Sequence, residues 1–423
     1  MPVKKEIVAM VLAGGRVDEL SVLTAMRPKS AVPIWGMYRI IDFVLSNMMN
    51  SGIDVVGVLS QYRPYSLNSH LASGAPWDYL GRTRELRILS PYRGARDTDW
   101  YRGTADAVFQ NLNFLEHYWP ELTLIASGDH VYAMDYRPLI KQHLARNAAL
   151  TIAFTPVPWE MASLFGTAQL DRDGRVLVYE EKAAKPRGNL ASMTVYLFNT
   201  KVLEKRIRQN AAEGRTFQIY SEVIPRMVSE GEAVYGYIFD GYWQYARTIA
   251  SYYATNMDML SSAPPDLEAW CVRTNLATGV AADPPPVIVQ GGAAIAGVLV
   301  SAGAVLKGEV SNSIISPGVV IERGATVRDS IVMHGSTVAA GAILDHAIVD
   351  KAVVIGPGAR VGFGDAAPRA AARDIVTDGL SVIGKGARIP AGIVIGRDCI
   401  IAPETPESHF PAREIQAGTT VGP

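Results

Sequence analysis

The stretch IERGATVRDSIVMHGSTVAAGAILDHAIVDKAVVIGPGARV, residues 321–361, decides how the second half of this chain folds. Branched aliphatic residues recur along it at steps of five or six, at Ile321, Val327, Val332, Val338, Leu344, Val349, Ile355 and Val361. A hexapeptide rhythm places one aliphatic side chain on each flat side of a triangular parallel β-helix, pointing towards its axis. The sequence therefore predicts a parallel β-helix over residues 287–423.

The same rhythm resumes after an interruption, at Ile383, Ile389, Ile395 and Ile401. The alternative is a β-rich domain in which this spacing is accidental. Twelve positions that keep register across an interruption disfavour that alternative. The interruption, FGDAAPRAAARDIVTDG, is expected to be a loop that leaves one coil at about residues 363–380.

Upstream of this region, short apolar runs alternate with longer amphipathic stretches. Predicted strands are IVAMVLAGG, VVGVLSQY, LTLIASGDH, LTIAFTPV and RVLVYEEK, and predicted helices are YRIIDFVLSNMMNSG and TADAVFQNLNFLEHY. This alternation predicts an α/β domain over residues 1–262, with a mostly parallel sheet covered on both faces. Ligands bind such sheets outside the carboxyl ends of the strands. Residues 263–286 are the predicted linker, because the prolines at 284–286 cannot join a central strand or helix.

Charge and cysteine content exclude several classes of function. The 423-residue chain has a formal net charge of -1, which gives no general attraction to nucleic acid or to an anionic membrane. Its first apolar run is too short to span a membrane and is interpreted as a buried strand. Two cysteines, Cys271 and Cys399, do not make a disulfide framework, so a cytoplasmic location is expected.

Four residues in three motifs suit phosphate chemistry. Gly14 and Gly15, in LAGGR, let backbone N–H groups approach a phosphate or a base, although such a turn is more often only a turn. Lys29, in RPKSAV, suits the negative charge that develops during phosphate transfer; its alternative is a solvated surface lysine. Asp129, in SGDH, suits a Mg²⁺ ion at the carboxyl end of a strand, or else an Asx turn.

Two further segments suit a nucleotide or a sugar phosphate. In DWYRGTADAV, residues 99–108, Trp100, Tyr101 and Arg102 suit a loop that closes over a nucleotide. Thr104, in the same segment, is interpreted structurally as a helix cap. Lys182 ends the strand RVLVYEEK and is able to bind a sugar phosphate as a compact charge. From the residues alone, a charged strand end is the favoured alternative there.

Taken in order, these motifs resemble the ADP-glucose pyrophosphorylase (glucose-1-phosphate adenylyltransferase) family. The motifs are LAGGR, RPKSAV, YRIIDFVLSN, SQYRPYSLNSH, WYRGTADAV, SGDHVYAMDY, FGTAQLD, EEK, LASMTVYLFN and the hexapeptide tail. The resemblance implies a Rossmann-like nucleotidyltransferase domain with a mixed, mostly parallel sheet, followed by a left-handed β-helix. It implies Mg²⁺-dependent transfer of AMP from ATP to α-glucose 1-phosphate, which gives ADP-glucose for glycogen synthesis. Members of this family are generally allosteric tetramers.

The resemblance also assigns roles to single positions. Lys29, Arg102 and Asp129 would be catalytic, with Asp129 as the Mg²⁺ ligand. The nucleotide would contact Gly14, Gly15, Gln61, Trp100, Tyr101, Gly103 and Thr104. Glucose 1-phosphate would contact Gly166, Glu181, Lys182, Ser192 and Tyr196. An anionic effector would bind where the two domains meet, at Arg27 and Arg39.

The sequence departs from the family pattern close to the chemistry. The phosphate loop GGxGxRL reads GGRVDEL, with Val17 for a glycine and Glu19 for the arginine that would meet the triphosphate. The pattern YWxDVGT reads YWQYART. Its Asp, the second Mg²⁺ ligand of the family, is therefore Tyr245, and its glycine is Arg247. A neutral phenol does not replace a carboxylate near pH 7.

Three hypotheses about function stay open. In the first, the chain is a working adenylyltransferase that binds ATP and glucose 1-phosphate and forms a homotetramer. In the second, it is a catalytically weak or silent subunit that binds a nucleotide or an effector and assembles with an active homologue as a hetero-oligomer. The third is an acyltransferase that uses His334 or His346 of the β-helix. The intact first domain disfavours the third hypothesis.

Overall fold

The apolar runs of the first 262 residues form the strands of a mixed sheet. The computed structural model describes residues 5–92, 100–277, 284–366 and 377–422, and within these ranges the sheet has nine strands. The strands of this part of the chain are β1 (Ile7–Leu12), β2 (Pro33–Ile34), β3 (Tyr38–Arg39), β4 (Val55–Leu59), β5 (Glu85–Leu89), β6 (Leu122–Ser127), β7 (Val131–Tyr132), β8 (Leu150–Pro156), β9 (Gly166–Leu170), β10 (Val176–Glu181), β11 (Leu190–Asn199), β12 (Val234–Ile238) and β13 (Trp243–Gln244). The helices are α1 (Ile40–Asn50), α2 (Tyr65–Leu71), α3 (Thr104–Gln110), α4 (Leu112–Tyr118), α5 (Arg137–Ala145), α6 (Thr200–Glu213), α7 (Ile224–Ser229) and α8 (Ile249–Met257).

The centre of the sheet is parallel and carries helices on both faces. Strands β6, β1, β4 and β5 are parallel neighbours, whereas β11 runs antiparallel to β6. Val8 and Met10 pack with residues of α3 and α4, and Ala9 and Val11 pack with residues of α1 on the opposite face. Strands buried on both faces read as continuous apolar runs, which is the pattern of IVAMVL. The segments that leave the carboxyl ends of β1 and β6 therefore open on the same edge of the sheet.

One predicted helix is two helices in the structure. The segment TADAVFQNLNFLEHY forms α3 and α4, which are separated at Asn111, where φ is -114° and ψ is 22°. The Asn111 amide nitrogen donates to the backbone oxygen of Ala107 at 2.9 Å and to the hydroxyl of Tyr101 at 3.0 Å. An asparagine side chain that bonds to nearby backbone competes with regular helix, and here it fixes the break beside Tyr101. Thr104 is the first residue of α3 rather than its cap, because Gly103 occupies the N-cap position.

The hexapeptide region is a parallel β-helix, so the predicted fold class is confirmed. All twelve aliphatic residues that carry the rhythm are fully buried. Val310, Val327, Leu344 and Val361, each 17 residues after the last, are in-register partners in successive coils. Of the predicted loop at 363–380, residues 367–376 lie outside the described residues. The strands of this region are β14 (Ile288–Val289), β15 (Ala294–Val300), β16 (Val305–Leu306), β17 (Glu309–Ile315), β18 (Val320–Ile321), β19 (Thr326–Arg328), β20 (Ile331–Val332), β21 (Thr337–Val338), β22 (Ile343–Asp345), β23 (Ala347–Val349), β24 (Val354–Ile355), β25 (Arg360–Phe363), β26 (Ser381–Ile383), β27 (Arg388–Ile389), β28 (Val394–Gly396), β29 (Ile400–Ile401), β30 (Glu414–Ile415) and β31 (Thr420–Val421).

One apolar cluster joins the β-helix to the first domain. It contains Leu20 of the short 3₁₀ segment Asp18–Leu23, Ile249 of α8, and Ile348 of the β-helix. The hydroxyl of Ser316 donates to the backbone oxygen of Gly36 at 2.8 Å across the same interface. The segment after β1 and the start of α8 thus both pack against the β-helix through this cluster. No helix in the described ranges is long and apolar enough to cross a membrane.

Candidate active site

A cleft of about 370 Å³ opens at the carboxyl edge of β1, β4 and β6. It brings together most of the positions predicted to meet the nucleotide and to act in catalysis. Those that line the cleft are Gly14, Gly15, Lys29, Gln61, Tyr101, Arg102, Gly103, Thr104 and Asp129. Val17, Thr194, Tyr220 and Tyr245 also line it. Trp100 does not line the cleft, and its side chain is 63% exposed.

The two glycines after β1 have different roles. A Cβ atom at Gly14 would lie 2.8 Å from the backbone nitrogen of Gln61, so the close packing of these two segments requires glycine at position 14. A Cβ atom at Gly15 would meet no atom within 4 Å. The backbone at Gly15 is therefore the part of the turn that a ligand is able to approach closely.

The segment 100–104 is fixed by contacts with its surroundings. The backbone nitrogen of Tyr101 donates to the side-chain oxygen of Gln61 at 2.5 Å, so Gln61 holds this segment in place. The Arg102 guanidinium lies 3.7 Å from the centroid of the Phe217 ring and donates to Asp106 at 2.9 Å. A Cβ atom at Gly103 would lie 2.3 Å from the Phe217 backbone oxygen. This wall of the cleft is thus formed before any nucleotide binds.

Lys29, which is buried, and Asp129, which is partly exposed, form an ion pair at the base of the cleft. The Lys29 side chain is 1% exposed, and its Nζ lies 3.4 Å from Oδ2 of Asp129, so the alternative of a solvated surface lysine is wrong. Burial lowers the pKa of Lys29 to about 8, against the opposing effect of Asp129. Burial opposes ionisation of Asp129, but the Lys29 charge, together with His130 and hydrogen bonds from Ser127 and Lys29, outweighs it and lowers the pKa of Asp129 to about 2. Near pH 7 both groups are charged.

Tyr245 lies where the family pattern has its second carboxylate. Its ring is 4.0 Å from the Lys29 ammonium, a cation–π distance, and 4.6 Å from the ring of His130. Burial raises the pKa of the Tyr245 phenol, so it carries no charge near neutral pH. An aromatic ring therefore covers the side of Lys29 that a carboxylate would otherwise face.

These residues do not fit a Mg²⁺ ion that the protein holds by itself. Asp129 is the one carboxylate among the described residues that line the cleft, and it is already paired with Lys29. A protein site for Mg²⁺ uses one or two carboxylates together with substrate phosphates. In the described ranges, three His, Cys, Asp or Glu side chains with ligand atoms close together occur at Asp329, Asp345 and His346, in the β-helix and away from the cleft.

The negative charge of Glu19 is compensated by Arg247, which in the sequence alone is visible only as the loss of the family glycine. Nε of Arg247 donates to Oε1 of Glu19 at 2.7 Å, and Nη1 of Arg247 donates to the Tyr245 hydroxyl at 2.9 Å. Burial opposes ionisation of Glu19, but its backbone hydrogen bond and Arg247 together lower its pKa. The one signal in the sequence was that a positive charge disappears at position 19 and appears at position 247.

The predicted sugar-phosphate residues form a second cluster on β9, β10 and β11. A Cβ atom at Gly166 would lie 2.5 Å from Oε2 of Glu181, and the Ser192 hydroxyl lies 3.4 Å from that of Tyr196. Burial raises the pKa of Glu181, and it raises that of Tyr196 to about 12. None of these four residues lines the 370 Å³ cleft.

Thr194 connects this cluster to the cleft, and Lys182 is the remaining residue predicted to contact the sugar phosphate. Thr194 lines the cleft and lies on β11 between Ser192 and Tyr196. It has a φ of 53°, and Lys182, which follows β10, has a φ of 47°. Left-handed backbone at residues other than glycine is strained, and such strain is concentrated at functional sites.

Arg27 and Arg39 lie apart from the cleft, at the contact between the two domains. Nη2 of Arg27 donates to Oδ1 of Asp350 at 2.7 Å, and both side chains are almost fully buried. Nη1 of Arg39 donates to the backbone oxygen of Ser66 at 3.0 Å. Burial lowers the pKa of Arg39 to about 10, with a smaller contribution from Arg27. Of the two predicted effector residues, Arg27 thus contacts the β-helix directly, whereas Arg39 hydrogen-bonds within the first domain.

Comparison with known proteins agrees with this geometry. The nucleotidyl transferase family matches residues 8–262, and the GlmU-like C-terminal hexapeptide family matches residues 289–383. The glucose-1-phosphate adenylyltransferase of Thermomicrobium roseum is 44% identical to this chain, over 99% of the chain and 98% of the relative. The enzymes of the same name from Thermotoga maritima and Acetivibrio thermocellus are 41% and 39% identical, over 98% and 99% of this chain and 98% of each relative.

Proposed function

Because this chain belongs to the nucleotidyl transferase family, and within it to the glucose-1-phosphate adenylyltransferases, we propose that it binds ATP and α-glucose 1-phosphate and joins them into ADP-glucose. The observation that carries the proposal is the Lys29–Asp129 ion pair, which lines the same cleft as the Gly15 turn. In this proposal the protein acts in glycogen synthesis. The reaction takes place in the cytoplasm.

The proposed reaction transfers AMP from ATP to glucose 1-phosphate. A phosphate oxygen of glucose 1-phosphate attacks the α-phosphorus of ATP, and the bond to the β-phosphate breaks to release pyrophosphate. Lys29 stabilises the negative charge that builds up on the transferred phosphate, because it is ionised near pH 7 and excluded from water. Backbone N–H groups of the glycine turn, with Gln61, Tyr101 and Arg102, orient the nucleotide. The second cluster, Gly166, Glu181, Lys182, Ser192 and Tyr196, orients the sugar phosphate.

Mg²⁺ enters this proposal as the counter-ion that ATP carries. It supplies positive charge to the nucleotide phosphates when bound. Asp129 is the lining carboxylate nearest to that charge, as the resemblance to the family implies. The roles of Lys29, the glycine turn and the second cluster do not depend on the protein holding the ion.

A second candidate function is a catalytically weak or silent subunit that assembles with an active homologue. The observation in its favour is Tyr245, whose neutral ring covers Lys29 at 4.0 Å where the family pattern has an anion. Under this hypothesis the cleft still binds nucleotide, because its glycine turn and the fixed segment 100–104 do not depend on Tyr245.

The two candidates are separated by pyrophosphate release from ATP plus glucose 1-phosphate in the presence of Mg²⁺. The wild-type chain is compared with Tyr245→Asp, and Tyr245→Phe is the matched control that keeps the ring and adds no carboxylate. Turnover by the wild type would refute the silent-subunit hypothesis. A folded, inactive wild type with an active Tyr245→Asp would refute the proposal that this chain catalyses the reaction unaided. Inactivity of all three would also refute it, and adding an active homologue would then test the partner role.

We propose a homotetramer, or a hetero-oligomer with an active homologue. The first coil of the β-helix supports assembly, because Ile288 and Val289 of β14 and Ile295 of β15, the next strand along the chain, are 47%, 54% and 40% exposed. Contiguous exposed apolar residues mark interaction surfaces. Size-exclusion chromatography with light scattering tests this proposal, and a monomer at micromolar concentration would refute it.

Arg27 and Arg39 are proposed to contact an anionic effector between the domains. Nε of Arg27 is buried and has no hydrogen-bond partner among the described residues, which supports the proposal because a buried donor without a partner is costly. Acyl transfer is not proposed. The buried Nδ1 of His334 has no partner in the described ranges, and His346 is paired with Asp345.

A further inference from the structure

The two charged residues that replace the family pattern at positions 19 and 247 contact each other. Glu19 belongs to the segment after β1, and Arg247 precedes α8, 228 residues later. Their side chains are 42% and 35% exposed, and the ion pair between them measures 2.7 Å. The family pattern has an arginine on the phosphate loop, at position 19. In this chain position 19 is the anion of an ion pair, and the arginine stands at position 247 as its cation.

Arg247 keeps unused hydrogen-bonding capacity in this position. A guanidinium has five N–H donors. Two of them are used, by Glu19 and by the Tyr245 hydroxyl, so three have no partner among the described residues. An ion pair that is more than one third exposed is weak. The ion pair with Glu19 therefore orients the Arg247 guanidinium but leaves three of its N–H donors available.

The surroundings of Arg247 point to the sugar-phosphate side of the site. Nη1 of Arg247 donates to the hydroxyl of Tyr245, which lines the cleft, and the Tyr245 ring lies 5.8 Å from the ring of Phe165. The backbone oxygen of Phe165 in turn accepts a 3.0 Å hydrogen bond from the backbone nitrogen of Lys182. A short chain of contacts thus links Arg247 and Lys182 beside the place where the nucleotide and sugar-phosphate clusters meet.

We propose that Arg247 binds the phosphate group of glucose 1-phosphate together with Lys182, and that Glu19 positions its guanidinium. This inference rests on the proposed function, since it requires the sugar phosphate to bind here. Arginine suits the role because its planar fork matches two phosphate oxygens at once. The cation lost from position 19 is then replaced from the other side of the cleft.

The test measures binding and needs no turnover. Glucose 1-phosphate and ATP are each titrated calorimetrically into the full chain and into Arg247→Gln, Glu19→Gln and Arg226→Gln. Arg226 is the matched control, since it is 40% exposed and paired with Glu213 at 2.7 Å away from the cleft. We expect Arg247→Gln to weaken glucose 1-phosphate binding by about tenfold to hundredfold, the range for losing a charged hydrogen bond. Arg226→Gln is expected to change nothing.

Glu19→Gln separates phosphate binding from a purely structural role. If Arg247 contacts the phosphate, Glu19→Gln leaves binding equal or tighter, because the glutamine oxygen still accepts from Nε of Arg247 and holds its guanidinium in place while the competing negative charge is gone. If the ion pair only supports the fold, Glu19→Gln weakens binding as much as Arg247→Gln does, and the inference is overturned. Arg247→Lys, which keeps the charge without the fork, is expected to fall between wild type and Arg247→Gln.

The remaining outcomes distinguish this inference from the proposed function. A wild type that binds glucose 1-phosphate while Arg247→Gln binds it equally well refutes only the role of Arg247. A loss confined to ATP also overturns the assignment to the sugar phosphate. A folded wild type that binds neither ligand refutes the proposed function and this inference together.

Discussion

Replacing Asp350 by asparagine should destabilise the contact between the two domains far more than a surface substitution of the same kind. Asp350 is 1% exposed and accepts a 2.7 Å hydrogen bond from Arg27, which is 3% exposed. Arg39 is buried nearby, and the pKa of Lys351 is lowered by burial and by the charges of Arg39 and Arg27. Asp350 is therefore the direct partner of Arg27 and, after Asp42, the second anion that acts on Arg39.

The size of the effect follows from that burial. Removing one partner of a buried ion pair costs about 3–5 kcal/mol, because the other charge stays buried without compensation. Asp135→Asn is the matched control: Asp135 pairs with Arg137 at 2.8 Å, but the two side chains are 44% and 69% exposed. A surface pair of this kind contributes roughly 0–1 kcal/mol.

Urea denaturation, followed by tryptophan fluorescence and by far-UV circular dichroism, measures both variants. Two probes are needed because a chain with two domains need not unfold in one step. We expect Asp350→Asn to lower the midpoint of the transition in which the domains separate, and Asp135→Asn to leave it nearly unchanged. Equal losses in the two variants, both below about 1 kcal/mol, would refute the reasoning from buried charge.

Three further predictions concern the cleft. Gly14→Ala should destabilise the protein by about 1–3 kcal/mol through overpacking and weaken ATP binding, whereas Gly15→Ala should cost little stability because its Cβ meets open space; equal thermal shifts in the two variants would contradict this. Because burial lowers the pKa of Lys29 from 10.5 to about 8, the unfolded state binds more protons between those values. The unfolding free energy of the wild type should therefore rise relative to Lys29→Met as the pH increases from 8 to 10, and a constant difference would contradict this. Finally, a triple variant with the family residues at positions 19, 245 and 247 should release pyrophosphate faster than Tyr245→Asp alone; equal rates would show that the three positions act independently.

The parts of the fold that the sequence predicts are those specified by local, repeated patterns. A hexapeptide rhythm places one aliphatic residue on each side of every coil. Because the rhythm is visible within each coil separately, it identifies the inward-facing positions correctly, and all twelve predicted residues are buried. The break between α3 and α4 does not follow from periodicity, because apolar spacing continues through Asn111. It depends on hydrogen bonds from one asparagine amide to Ala107 and Tyr101.

The cleft was predictable where strand ends carry the residues, and not where distant segments meet. Lys29 and Asp129 are 100 residues apart, but each follows a recognisable motif near a strand of the parallel sheet. The contact between Glu19 and Arg247 has no local signal, because each residue taken alone only disagrees with a pattern. In the folded structure the two residues form an ion pair, so each compensates the charge that the other adds to the family pattern.

The substitutions at 19, 245 and 247 are best understood as one coupled change. Arg247 donates to both Glu19 and the Tyr245 hydroxyl, and Tyr245 in turn covers Lys29, so each side chain depends on the next. An aspartate placed alone at position 245 would lie beside Lys29 and Arg247, two cations that would compete with any metal ion for it. Glu19, having lost part of its interaction with Arg247, would then face the triphosphate as an unbalanced anion. A second carboxylate at position 245 that is free to meet a metal ion therefore requires the charges at positions 19 and 247 to change together with it.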